Sequence, residues 1–388
     1  MRLDIYNEIK NRIDSSKKIK QYLTKLLRYD KFCHKYLSHG SSGKVFSFKS
    51  PTPISYKYED GRILTFNDIV VKVSDENGPV NISIEGDKVR FVTVENPVGE
   101  AIVSIIISSL FFRGVTPHVI CCLGYSVCEQ STEIYYEQLI VDVPHKEKRY
   151  VSDKDGFITN LMDLPVYFKA IGLTNNKERL EAAIDSMLIA LFHTMFILQH
   201  NFKLVHFDLF VRNMFMKVFD DTPYFMGHKM KSFKYFCYKF PGKVRLYTKN
   251  PGFILKIGDF GLSMMSVDDK VIFENNNETK QSTILFNKYY RDYPNVNKFI
   301  PDYIFVIRAF AHMFGLASSR LLRKLLLEVP AIADADDVSL NILNGYFDYD
   351  INRVQSIKEI VSRKDLFDHS IPSDATKENT LVIGYKLR

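Results

Sequence analysis

His206-Phe207-Asp208-Leu209-Phe210-Val211-Arg212-Asn213 is the stretch on which the reading of this chain turns. It places one carboxylate, Asp208, five residues before a side-chain amide, Asn213. Forty-six residues after Asn213 comes Asp259-Phe260-Gly261, directly behind the apolar run Phe253 to Ile257. A strand that feeds a glycine-freed turn holds the second carboxylate, Asp259, at its end. Two carboxylates and an amide in this order suit phosphoryl transfer. One carboxylate orients an attacking hydroxyl and accepts its proton, while the amide and the other carboxylate hold magnesium on nucleotide phosphates.

Upstream, Lys35 to Ser38 and Val45 to Phe48 read as strands around a Gly-Ser turn, Gly40-Ser41-Ser42-Gly43. The turn is not a Walker A loop, because Gly43-Lys44 is followed by Val45 where Ser or Thr is required. Lys72 interrupts the apolar strand Ile69 to Val73, and an ammonium there needs a partner unless the strand is an edge with Lys in solvent. Val80 to Val94 reads as a hairpin turning at Glu85-Gly86-Asp87. Asn96-Pro97 opens a helix to about Phe112, with a capping Asn and Pro at the first helical position. Glu100 lies in its first turn, where the helix dipole also favours an acid, and Glu95 precedes it. Val119 to Tyr125 and Glu133 to Val141 read as two further strands.

The remainder reads as mainly helical: Glu178 to His200, Pro301 to Phe314, Ser318 to Glu328, Val338 to Tyr346 and Asn352 to Ser362. Between the two acidic phrases, residues 217–252 form an insertion in which KYFCYKF and KVRLYTK flank Pro241-Gly242 as a β-hairpin. Residues 1–34 have helical apolar spacing, and the chain from Ser373 reads as loose or as one short strand.

The ordered set Gly turn, Lys72, Glu100, His206 to Asn213 and Asp259-Phe260-Gly261 resembles the motif series of protein kinases over residues 35–365. The phrase from Asn96 to His118 and the insertion leading to Asp259 resemble serine/threonine kinases of large DNA viruses such as iridoviruses, ascoviruses and mimiviruses. The resemblance implies an α+β, two-lobed fold: a small β-rich N-lobe with one helix at 35–140 and a larger, mainly helical C-lobe at 141–370. A helical extension (1–34) and a tail (371–388) flank them. It implies ATP and Mg2+ as cofactors and transfer of the γ-phosphate to Ser/Thr of protein substrates.

Residue by residue, the resemblance assigns catalysis to Asp208, Lys72, Asn213 and Asp259, with Asn213 and Asp259 on the metal. Gly40, Gly43, Val45, Lys72, Glu137 and Leu139 would line the ATP site, and Tyr136 would close the rear of the adenine pocket. Glu100, His206, Phe260, Gly261 and Asp302 would support it, Glu100 as the partner of Lys72 and Asp302 as a brace beneath the catalytic loop. Three positions depart from the pattern. Phe207 replaces the Arg before the catalytic Asp, Phe210 replaces the Lys two residues after it, and no Ala-Pro-Glu follows Asp259-Phe260-Gly261. Arg212 beside Asn213 resembles a tyrosine-kinase arrangement. The departures leave Ser/Thr against Tyr preference open and support a second reading, a pseudokinase scaffold.

Composition excludes several other classes. Charged residues make up 25% of 388, as in ordinary globular chains. The net charge of +7 reads as spread along the chain without a Lys/Arg run, so no nucleic-acid partner is expected. Five cysteines without a Cys-x-x-Cys pair argue for free thiols in a reducing compartment, not a disulfide frame or zinc site. The longest apolar-rich stretch, Ala101 to Phe112, is too short to span a bilayer, and no signal peptide is evident. The expectation is therefore an intracellular protein without a membrane partner; a viral origin would place it in the host cytoplasm or the virion.

Overall fold

The computed structural model describes residues 35–40, 43–57, 61–74, 82–85, 88–92, 97–127, 132–137, 168–169, 172–206, 209, 213–219, 223–261, 263–267, 271–274, 301–328 and 357–384. The expected helices within 1–34 and at 338–346 lie outside these residues, as do Phe207, Asp208, Phe210, Arg212, Leu139 and Glu95.

The chain is α+β, strand-rich to residue 137 and with most of its helix later. Strands β1 (Lys35–Gly40), β2 (Gly43–Lys57), β3 (Ile63–Ser74), β6 (Cys122–Val127) and β7 (Thr132–Glu137) form an antiparallel sheet in the order β1-β2-β3-β7-β6. Helix α1 (Pro97–Phe112) covers one face. It is apolar nearly all round and buries fourteen of its sixteen residues, as a helix enclosed by the core must. The long β2–β3 ladder absorbs most of residues 50–68 as an extension of the hairpin.

Helix α2 (Lys177–Phe202) starts where the Asn176 side chain accepts the Arg179 N–H at 3.0 Å, and it stops at Lys203, a left-handed residue with φ 46°. Its length and apolar composition would suffice to cross a membrane, which the sequence reading missed, but most of it is buried inside the fold. Helices α3 (Pro301–Phe314), α4 (Arg320–Glu328) and α5 (Ile357–Ser362) follow later in the chain.

Strands β8 (Met214–Val218) and β11 (Phe253–Ile257) pair antiparallel, and the insertion lies between them. The expected hairpin is present as β9 (Tyr235–Lys239) and β10 (Arg245–Lys249). Its inner residues Phe236, Tyr238 and Leu246 are buried, and Tyr238 packs on His193 of α2 with ring centroids 5.2 Å apart. The tail is built into this unit. Strand β14 (Thr380–Ile383) pairs in parallel with β9, giving the order β10-β9-β14.

A further sheet joins distant parts of the chain. The expected hairpin β4 (Ile82–Glu85) and β5 (Lys88–Val92) pairs with β13 (Val271–Glu274), which pairs with β12 (Met265–Val267), in the order β12-β13-β5-β4. Within the Asn- and charge-rich segment Asp268 to Lys280, residues 271–274 form an inner strand of this sheet.

Candidate functional site

The site gathers at the meeting of β3, α1 and the turn after β11. Lys72 stands between Val45 of β2 and Ile134 of β7 in the ladder, so its side chain shares their face of the sheet, where α1 lies. Its Nζ lies 2.8 Å from both carboxylate oxygens of Glu100 and 3.5 Å from Asp259 Oδ1. The pairing expected for Lys72 is therefore formed, and the edge-strand alternative fails: β3 is an inner strand and Lys72 is nearly buried. Burial opposes the ammonium charge, but Glu100 and Asp259 together outweigh it and hold Lys72 above its ordinary pKa.

Glu100 is buried and held by a third group, the Tyr136 hydroxyl, at 3.1 Å. Tyr136 is thus tied to α1 at the back of the sheet. Gly261 passes so close that a Cβ there would lie 3.2 Å from Glu100 Oε2, tight enough to press on the carboxylate that holds Lys72.

Asp259 adopts φ 58°, a left-handed conformation that Asp tolerates better than most residues. Behind it the Gly258 N–H bonds the Asn213 carbonyl at 3.1 Å. Asn213 is buried just before β8 and Asp259 follows β11, so the β8–β11 ladder places the two residues at the same end of the strand pair.

The chain before Asp208 is strapped from three sides. Asp302, in the first turn of α3, accepts the His206 N–H at 2.8 Å. The His206 ring donates from Nε2 to the Gly258 carbonyl at 3.1 Å and packs against Phe260, with centroids 5.1 Å apart. Val205 and Met264 exchange two backbone hydrogen bonds of 2.9 Å. Burial lowers the His206 pKa to about 4, so the ring is neutral. Gly40 and Gly43 face each other across the two-residue link of the β1–β2 hairpin, one strand away from Lys72.

Glu137 is held by its neighbours through both backbone and side chain. Its backbone N–H is taken by the Cys121 carbonyl at 2.9 Å, so its carbonyl is the only backbone group it could present to a ligand. Its carboxylate turns inward. There it meets Lys256 Nζ at 2.5 Å, accepts the Cys121 N–H at 2.7 Å and takes the Tyr224 hydroxyl. Lys256 is fully buried and also donates to the Val119 carbonyl at 2.8 Å, with the Phe111 and Tyr224 rings 4.7 and 5.1 Å away. The pair ties the end of β7 to the strand that delivers Asp259, and Tyr224 brings the insertion into the same joint. The signal was present in the sequence: Lys256 interrupts an apolar strand just as Lys72 does.

Among the described residues no three His, Cys, Asp or Glu side chains cluster to hold a metal by themselves. One carboxylate and one amide, Asp259 and Asn213, are a donor set suited to a hard cation that takes its other oxygens from phosphate and water. Cys121, Cys122 and Cys237 are buried free thiols, as expected. No protein-family model matches the chain, and no curated protein matches it.

Proposed function

We propose that this chain is an ATP- and Mg2+-dependent protein kinase acting on Ser/Thr hydroxyls, with residues 35–140 as the smaller lobe and 141–370 as the larger lobe of a kinase-like fold. The observation that carries this reading is Lys72 held between Glu100 and Asp259 by side chains from three separate elements. A buried cation beside a half-exposed carboxylate is arranged to grip phosphate oxygens on one side while remaining charged.

In this reading Glu100 and Tyr136 fix Lys72, and Lys72 orients the nucleotide phosphates. The turn between Gly40 and Gly43 lets backbone approach those phosphates closely. Asn213 and Asp259 would hold the metal, which supplies charge neutralisation on the transferring group. Asp208 accepts the proton of the attacking hydroxyl, and its loop is steadied through His206 by Asp302. Phe210, where a phosphate-steadying Lys is usual, favours a second reading, a pseudokinase that binds nucleotide or a partner without efficient turnover. Autophosphorylation with labelled ATP separates the two. The enzyme reading expects incorporation by wild type and none by Asp208→Ala; nucleotide binding without incorporation by wild type would favour the scaffold.

A further inference from the structure

The chain's positive charge is concentrated, contrary to the even spread expected from the sequence. From Thr222 to Gly258 there is no Asp or Glu, but there are seven Lys and one Arg. That stretch carries +8, and the rest of the chain sums to −1. Its Lys256 is buried, so the others define a surface.

The β10-β9-β14 sheet gives the surface its form. Leu246 and Thr248 of β10 face inward, with Thr248 accepting the Ser186 hydroxyl of α2 at 3.2 Å. Arg245, Tyr247 and Lys249 alternate with them on the outer face, with Arg245 and Lys249 exposed. Lys239 stands opposite Arg245 in the ladder, and Lys243 sits in the turn. Lys234 is matched by Asp374, but no described carboxylate pairs with Lys239, Lys243, Arg245 or Lys249. β10 is also an edge: among the described strands only β9 pairs with it.

We propose that the free edge of β10 docks an extended acidic segment of a partner protein, added as a further strand. Strand addition satisfies the open backbone groups of an edge, and alternate side chains then set specificity. Side chains on one face of a strand repeat about every 7 Å. An acid–x–apolar–x–acid segment therefore meets Arg245 and Lys249 with its acids and Tyr247 with its middle residue. A single-stranded nucleic acid fits less well. Tyr235 is buried with its hydroxyl on Asp374, and Tyr247 is only partly exposed, so the face offers no open aromatic platform for bases. This docking goes beyond phosphoryl transfer and is measured without nucleotide, so failure of the kinase reading leaves it standing.

The test uses the full chain and fluorescence anisotropy of a labelled peptide with Glu at every fourth position, Val midway and Thr between. Saturable binding is expected, weakened at least tenfold by Arg245→Glu/Lys249→Glu. The same charge change at Arg323→Glu/Lys358→Glu, on α4 and α5, should weaken it less than threefold. Because the β10 variant could misfold, a second arm keeps wild-type protein and N-methylates alternate peptide amides, which blocks strand addition. That peptide should also lose at least tenfold. Equal binding of the N-methylated peptide would overturn the proposal. So would tighter binding of an oligothymidylate or of phosphatidylserine vesicles. No saturable binding of the acidic peptide would show that the charges only guard an edge against aggregation.

Discussion

The Asp302 carboxylate accepts the backbone N–H of His206 at 2.8 Å across ninety-six residues of chain, and both groups are buried. A helix start thereby holds the residue that leads into Asp208. Asp302→Ala leaves a buried N–H without its acceptor, a loss of about 1–3 kcal/mol. Turnover should fall more than tenfold while the protein still melts cooperatively. Asp302→Asn keeps an acceptor oxygen and should retain most activity. Equal loss in both variants would show that charge, and not the hydrogen bond, is what matters there.

Lys72→Met replaces a nearly buried ammonium with an apolar side chain of similar shape. Kinase turnover should be lost, and stability should fall by up to about 3–5 kcal/mol, because Glu100 is left buried without its countercharge. Glu100→Gln keeps a hydrogen-bond acceptor for Lys72 but removes the countercharge, so its effect should be smaller and in the same direction. A silent Glu100→Gln together with a damaging Glu95→Gln, measured as initial rates, would break the link between this pair and function.

The Glu137–Lys256 pair is a different case, because both side chains are shut off from solvent. Removing one partner of a buried pair strands the other charge and typically costs about 3–5 kcal/mol. Lys256→Met should destabilise by that amount in denaturant unfolding. Lys256→Met/Glu137→Leu, which removes both charges, should recover most of it. A double variant no more stable than the single would mean that Glu137 has enough other donors, from Cys121 and Tyr224, to stay charged alone.

Three buried histidines make stability fall in acid. Burial lowers His206 to about 4 and His118 and His193 to about 3, against 6.5 in the unfolded chain. Stability from these groups is complete above pH 6.5 and is lost as pH falls toward their folded values, because the unfolded chain takes up the protons. Asp185 works the other way: burial raises it from 3.8 to about 6, so the fold binds one more proton there between those values. The net difference is two protons, or about 3 kcal/mol per pH unit between about pH 4 and pH 6. Thermal melts at pH 7, 6 and 5 should show the decline. A flat profile would mean that the rings are protonated inside the fold.

Local patterns suffice to place many of the elements, and the order of the motifs singled out Lys72, Glu100 and Asp259, which the fold brings into contact. Asn96-Pro97 marks the start of α1, the alternation on either side of Pro241-Gly242 marks β9 and β10, and one Lys in an apolar strand marks Lys72. What local pattern does not carry is long-range pairing. β13 joins β5 in parallel across about 180 residues, and β14 joins β9 from the far end of the chain. Nothing in either short strand names its partner, since apolar strands of this length fit many edges. The pairing of Glu137 with Lys256 was missed for a similar reason: nothing local to either residue signals that the two side chains meet across 119 residues. The clustered basic charge escaped because the Lys residues alternate with aromatics and form no run, and only the missing acids disclose it.

On the kinase reading proposed above, the same β13 pairing bears on control of the site. In many kinases a phosphate on the segment after Asp-Phe-Gly binds the Arg before the catalytic Asp and orders that segment. Phe207 occupies that place here and cannot bind phosphate. The structure supplies another means of order. β13 lies between β12 and β5, and β5 ends four residues before α1, the helix whose Glu100 holds Lys72. Strand pairing thus links the segment to the start of α1 without a phosphate. Phosphatase-treated enzyme should therefore match untreated enzyme in initial rate, measured before it can rephosphorylate itself. Ile272→Pro, which removes a backbone donor from a strand flanked on both sides, should lower the rate at least tenfold, about 1.4 kcal/mol in the barrier, with α1 and α2 still folded. A tenfold loss after phosphatase, restored by preincubation with ATP, would refute strand pairing as the source of order and point to a cation elsewhere, Arg212 or Arg291, as the reader of a phosphate.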